Sequence, residues 1–348
     1  MYKKTFYALL CCVSVVSAIL VLLVDDFEFE SSIRFMVASF FSHRGFLYLK
    51  GTSFLPFGIA IQSFFVLVGY GRLLMRLLSA LSNICLSFLI YRFGREFHRD
   101  RTEHVAMLVL FNPLIFLYSL FGTIDVFFTL LVFSLAYTYC FRRYLFASLI
   151  FFVSILTHYT AWVLVPVFLL DTLISKTDTR KKIIVVATGI CGILLWGIVN
   201  YFFCGSPINF IRQMRNTVSE VTWNFAPNFV IAFLYPLIYP FMFSAFFFFS
   251  MIDAIFKYFR EDKFVRFTAL FFLVDVICLV LGVLTNSIIP WARYLMPLLP
   301  FCIILGFFNL KNSRLKKVIV LSYFLISTIG TCIQAFWIIS FRDLMVNV

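Results

Sequence analysis

Residues able to do chemistry are sparse in this 348-residue chain, and those that stand out lie in four segments far apart in sequence. The first is VDDFEFE (24–30), which places Asp25, Asp26, Glu28 and Glu30 within one short run. The second is Asp125 in FGTIDVFF (121–128), and the third is His158 with Tyr159 in LTHYTAWVLVPVF (156–168). The fourth is Arg293 with Tyr294 in PWARYLMPLLP (290–300). A carboxylate at a water interface can act as general base on an acceptor hydroxyl or amide. A fixed guanidinium, helped by an imidazole, can hold a departing phosphate through charge-assisted hydrogen bonds. As a set, these types suit group transfer from a lipid phosphate. Each segment also has a purely structural reading. The acidic run can be a solvated stop to a helix, and Asp125 can be a helix-start residue favoured by the dipole. His158 can be an interhelical hydrogen-bonder, and Arg293 a snorkelling anchor beside Trp291 and Tyr294 in an aromatic belt.

The elements that must position these residues are set by composition. The chain is 63% hydrophobic, 20% aromatic and 13% charged, against about 25% charged for an ordinary soluble domain. A soluble protein of this length would have to expose most of the surplus, including 49 Phe. The composition therefore excludes a soluble enzyme, a disulfide scaffold and a disordered chain, and predicts an all-α polytopic membrane protein. The nine Cys sit singly or as one adjacent pair in apolar runs with no CxxC or Cys/His spacing, which fits neither a metal nor a disulfide framework. Eleven segments are apolar enough for spans of about 20 residues: roughly 5–24, 72–91, 104–121, 123–141, 144–157, 159–175, 183–203, 229–251, 264–285, 293–310 and 317–339. They form a single integral membrane domain over 1–348, with a long outer first loop at 25–71.

Charge orients the chain. With Lys3 and Lys4 in the cytoplasm and alternating helices, the inner connections are 92–101, 141–144, 175–182, 257–266 and 311–317, all basic, and they hold most of the 29 Lys and Arg. The formal charge of +13 is thus a topology signal and not a nucleic-acid one. The basic start and apolar run of 1–23 resemble a signal peptide, but an acidic cluster instead of a small-residue cleavage site follows, so a retained first helix is expected. Loop 25–71 contains two broken apolar stretches, 31–41 and 54–68, expected as helices lying in the interface. With this topology all four polar segments reach the outer face.

In order and sidedness the chain resembles the GT-C fold of polytopic glycosyltransferases, which includes dolichyl-phosphate-mannose protein mannosyltransferases, aminoarabinose transferases and GPI mannosyltransferases. The residues that carry the resemblance run over about 1–310: Asp25-Asp26 after the first helix, SHRGFLY (42–48) and FLPFGIAI (54–61) in the outer loop, and GRLLMRLLSALS (71–82) ending in YRFGREFHRDR (91–101). NPLIFLYS (112–119) then leads to a second outer acid at Asp125, LTHYTAWVLVPVF follows with His158 where Lys is common, and RYLMP (293–297) matches a late Arg-Tyr-x-x-Pro run. Asp25-Asp26 stands in place of the common Asp-Glu, which leaves Glu28 or Glu30 as alternative bases.

The resemblance implies a hexosyltransferase. Its donor would be a polyprenyl- or dolichyl-phosphate-linked sugar such as a mannose-like hexose, and its acceptor a lipid-linked glycan or other small acceptor, as no soluble domain follows the last helix. Asp26 or Asp25 would deprotonate the acceptor, Asp125 would orient it or assist, and C1 of the sugar would be attacked with inversion. Arg293, helped by His158, Tyr294 and Tyr159, would bind and stabilise the leaving phosphate. No cofactor is required; a divalent metal ion bridged by Asp25, Asp26 and Asp125 is an optional addition. The expected partners are the lipid-linked sugar, the acceptor and membrane lipids. The expected location is the cell membrane or endoplasmic reticulum, with the active site on the outer or luminal side. The alternative class is a transporter or flippase for lipid-linked sugars, which would use the same outer loop and polar cavity without bond making. No GxxxxGK[ST] or GxGxxG is present for a cytosolic nucleotide-driven pump.

Overall fold

The computed structural model describes residues 29–50, 54–97, 99, 101–175, 177–221, 229–285, 292–310 and 313–346, with 7, 10–12 and 15 of the N-terminal run. Asp25, Asp26 and Glu28, and nearly all of the first expected span, lie outside the described residues. Among the described residues the chain is helical throughout: α1 (Phe29–Arg44), α2 (Pro56–Leu67), α3 (Gly71–Glu96), α4 (Thr102–Leu110), α5 (Pro113–Phe121), α6 (Ile124–Cys140), α7 (Tyr144–Thr157), α8 (Leu164–Ile174) and α9 (Thr179–Cys204). α10 (Asn209–Val221), α11 (Phe229–Ser244), α12 (Phe246–Tyr258), α13 (Lys263–Leu284), α14 (Leu299–Asn309) and α15 (Ser313–Val346) follow, with 3-10 segments at 45–50, 159–163 and 292–298. The protein is an all-α, multi-pass membrane protein: among the described residues four helices are long and apolar enough to cross a membrane, or six if two bent pairs each count as one. The expected spans 123–141, 144–157, 159–175 and 293–310 are shorter apolar helices of 10–17 residues.

Both bent pairs have causes in the sequence. Asn112 precedes Pro113, whose ring disfavours helix in the residue before it, and α4 and α5 meet at 52°. Asn112 Oδ1 accepts from Ile115 N at 3.1 Å, capping α5, while its Nδ2 donates to Phe243 O and Tyr323 Oη, each at 2.9 Å. Tyr323 Oη in turn donates to Leu108 O at 2.7 Å, so a carbonyl freed near the break is satisfied by a distant helix. The expected single span at 229–251 is instead α11 and α12, bent by 111°. α11 contains Pro236 and Pro240, which remove two helical donors, and Ala245 at φ 47° turns the chain.

The five basic connections share one end of the bundle. Tyr137 donates to Glu96 (2.7 Å), Arg99 stands 3.9 Å from Asp262, and Arg142 stands 3.6 Å from Asp178. Lys263 donates to Tyr139 O (2.7 Å) and Tyr144 Oη (3.1 Å). Arg99 lies over the Phe308 ring next to the last of these connections. The grouping that charge counting requires is therefore present as contact.

Close helix contact rests on small residues, as is usual between membrane helices. At Gly306 of α14 an added Cβ would stand 2.3 Å from the Phe247 carbonyl oxygen and 2.7 Å from its Cα. The obstacle is backbone and cannot rotate away. Gly306→Val is expected to lower stability by about 2–3 kcal/mol, read as thermal unfolding in detergent. Gly197→Ala, whose Cβ would meet nothing nearer than Pro207 at 3.8 Å, should change it by less than about 0.5 kcal/mol. Equal effects at the two sites would refute this packing.

Candidate functional site

At the end of the bundle opposite the basic connections, three of the sequence-predicted residues meet. Asp125 lies in the first turn of α6, where the helix dipole favours a carboxylate. The turn before it is tightly specified. Gly122 caps α5 at φ +75°, and a Cβ there would stand 2.9 Å from the Arg76 backbone nitrogen. Ser79 of α3 donates to Thr123 O at 3.1 Å and Tyr118 O at 3.3 Å. α3 therefore braces the loop that aims Asp125. Arg76, itself 9% exposed, has its side-chain stem against Gly122.

His158 is the extended residue that separates α7 from the 159–163 segment, at φ −149° and ψ 136°. Its Nδ1 accepts from Thr160 N at 3.2 Å, so the proton of the neutral ring sits on Nε2. Nε2 faces Asp125 Oδ1 at 3.4 Å, within ion-pair range and longer than a usual hydrogen bond. Both side chains are buried. The imidazole stacks on Phe128 (ring centroids 4.7 Å) and lies 6.1 Å from the Tyr294 ring. Asp125, His158 and Tyr294 thus come from α6, the α7–α8 join and the 292–298 segment into one cluster.

Tyr159 directs its ring to a different neighbourhood. It stacks on Phe210 of α10 (5.2 Å, 14°), and its Oη accepts from Trp196 Nε1 at 3.3 Å. Around it a second apolar core joins Ala38, Tyr48, Leu49, Leu55, Ile59, Trp196 and Phe210. Asn209 and Gln213 of α10 donate to Leu49 O (3.1 Å) and Lys50 O (3.2 Å). Tyr48, whose phenol burial pushes well above its ordinary value, donates to Phe54 O at 3.1 Å. The described parts of two long connections, between α1 and α3 and between α9 and α11, therefore pack on each other and on the segment that carries His158. Helices stand at both expected loop stretches, as α1 and α2. α10 lies between the expected spans 183–203 and 229–251; its alternation of Phe210, Met214 and Val221 with Arg and Asn was the available signal.

Glu30 is the second residue of α1, and Arg293 lies in the 292–298 segment directly before Tyr294. Among the described residues no group of three His, Cys, Asp or Glu side chains is close enough to hold a metal ion. Asp125 and His158 offer two donors, and the further carboxylates of a bridged ion, Asp25 and Asp26, fall outside the described residues.

Sequence reasoning missed a second polar cluster at the basic end. Asp171, fully buried, receives Lys182 Nζ and Arg266 Nε at 2.7 Å each, and Tyr139 Oη at 2.5 Å. These four residues tie α6, α8, α9 and α13 together. No known protein family, curated protein or solved structure matches this chain.

Proposed function

We propose that the protein is a membrane glycosyltransferase that moves a hexose from a polyprenyl- or dolichyl-phosphate sugar to a lipid-linked glycan or other acceptor. The observation that carries this reading is the meeting of Asp125, His158 and Tyr294 beneath a layer built from two distant connections. In this reading the chain crosses the membrane eleven times, its N-terminus is cytoplasmic, and the site faces the outer or luminal side of the cell membrane or endoplasmic reticulum.

The chemistry follows from residue types. Asp26 or Asp25 takes the proton of the acceptor hydroxyl as its oxygen attacks C1 of the sugar. The C1–O bond to the lipid phosphate breaks, and inversion results from attack opposite the leaving group. Arg293 stabilises the departing phosphate with charge-assisted hydrogen bonds. Asp125 orients the acceptor, and His158 fixes Asp125. The layer formed by α1, α2, α10 and the 45–50 segment holds the lipid tail and excludes water from the reacting centre.

The deciding experiment measures sugar transfer from a radiolabelled polyprenyl-phosphate hexose by purified wild type, Asp26→Asn, Asp25→Asn and Arg293→Ala. Release of free polyprenyl phosphate, lost in one Asp variant that still folds, is the expected result and names the base. The bent pairs α4–α5 and α11–α12 favour a second reading, a transporter of lipid-linked sugars, because broken helices are common in such proteins. No turnover with any donor, together with saturable binding that both Asp changes leave intact, would select that alternative.

A further inference from the structure

Asp275 belongs to neither polar cluster. It is 1% exposed, and neither carboxylate oxygen has a hydrogen-bond partner among the described residues. It is twelve residues into α13, about 18 Å along a helix of about 33 Å at 1.5 Å per residue, and so near mid-depth of the bundle. One turn earlier on the same face, Phe271 packs edge-on to Phe301 of α14 at 5.8 Å, and Phe271, Val274 and Leu279 of α13 all belong to the main apolar core.

The charged groups on the elements packed against α13 are committed elsewhere. On α13 itself, Arg266 is bound to Asp171 at 2.7 Å. On α8, Asp171 is held by Lys182 and Arg266. On α12, Asp253 pairs with Lys257 and accepts from Asn309. On α6, Asp125 faces His158. The remaining titratable groups are Lys263 at the start of α13, which donates to Tyr139 O and Tyr144 Oη, and Cys278 one turn beyond Asp275; Tyr137, Tyr139 and Cys140 on α6; Tyr258 on α12; Tyr235 and Tyr239 on α11; Tyr159 in the 159–163 segment; and Arg293 and Tyr294 in the 292–298 segment. None of the described groups forms an ion pair or a hydrogen bond with Asp275.

A bare carboxylate buried in this way is the costliest state available, because it has neither solvent nor counter-charge. A metal ion would need several further oxygen, nitrogen or sulfur ligands, and no group of three candidate ligands exists among the described residues. A proton needs no other ligand. We propose that Asp275 is a proton-binding site in the interior of the bundle, occupied as a carboxylic acid and ready to give a hydrogen bond or a proton to a base that reaches it. This holds whether the chain transfers sugars or transports them.

Apolar carbodiimides test it. The acid's proton passes to a carbodiimide nitrogen, and the carboxyl oxygen adds to the central carbon. With no water to hydrolyse the O-acylisourea, it rearranges to a stable N-acylurea. The full-length protein in lipid nanodiscs at neutral pH is treated with dicyclohexylcarbodiimide or with a water-soluble carbodiimide, and the adducts are mapped by peptide mass spectrometry. The expected result is an adduct on Asp275 with the apolar reagent, at least severalfold above the water-soluble one. No Asp275 adduct with the apolar reagent, or equal labelling by both, would overturn the proposal. Because the wild type carries the test, it does not depend on a variant folding. Asp275→Asn serves only to confirm that the adduct disappears.

Discussion

Asp171→Ala is expected to destabilise the protein by about 3–5 kcal/mol, because it leaves two buried cations without their counter-charge. Lys182 is fully buried and Arg266 nearly so, and each places a nitrogen 2.7 Å from a different Asp171 oxygen. Tyr139 then loses its acceptor as well. The alternative contacts left to Lys182 are weak: Asp171 O at 3.4 Å and Ser175 O at 3.3 Å. Thermal unfolding in detergent is the measurement. Lys182→Met should cost less, since Arg266 still neutralises the carboxylate. Asp171→Asn combined with Lys182→Met should be milder than the sum of the two single changes, because they share one network. An Asp171→Ala protein within about 0.5 kcal/mol of wild type, the range of an ordinary surface change, would show that the cluster is not the lock described here.

The second large effect concerns activity. Under the proposed function, Asp125→Asn is expected to lower the rate of sugar transfer by about 10²-fold, the scale for misplacing a bound reactant, with little change in melting. The amide keeps the shape of the carboxyl and removes the charge that His158 Nε2–H faces at 3.4 Å. His158→Gln should be less severe, because it removes only the group that orients Asp125. The double variant should be no slower than Asp125→Asn alone, as expected of residues acting as one unit. Initial rates of polyprenyl phosphate release read all three. Retention of more than about a tenth of the wild-type rate by Asp125→Asn would remove Asp125 from the chemistry and leave it as a residue that starts a helix.

How much of this was legible in the sequence depends on the kind of signal. The break at His158 is local, and the expected segment 144–157 coincides with α7 because an extended His158 ends it; the 52° break at Asn112-Pro113 was read through as the single span 104–121 although a proline marks it. The end of the bundle shared by the basic connections followed from counting Lys and Arg. Pairing was not legible. Lys182 and Arg266 are spelled like any other basic residues of a connection, and only the fold shows that α8 brings Asp171 between them. The 111° break at Ala245 was read through as one span because the whole of 229–251 is apolar, and hydropathy carries no information about direction. Asp275 was readable as the one acid inside the apolar run 267–285, but its burial without a partner is set by the packing of α13 and not by the run itself.

The short helices have a consequence for the surrounding lipid. α7 has 14 residues, about 21 Å at 1.5 Å per residue, against a hydrocarbon thickness of about 30 Å. Leu145, Phe146 and Leu149 on it are exposed in the bundle and so face the acyl chains. In the proposed eleven-span topology the bilayer thins where it meets this helix. Thinning draws the headgroup layer inward toward the end of α7 that carries His158. A lipid with its phosphate at that layer would then meet the protein at a dimple, already sunk to the depth of the residues that would handle it.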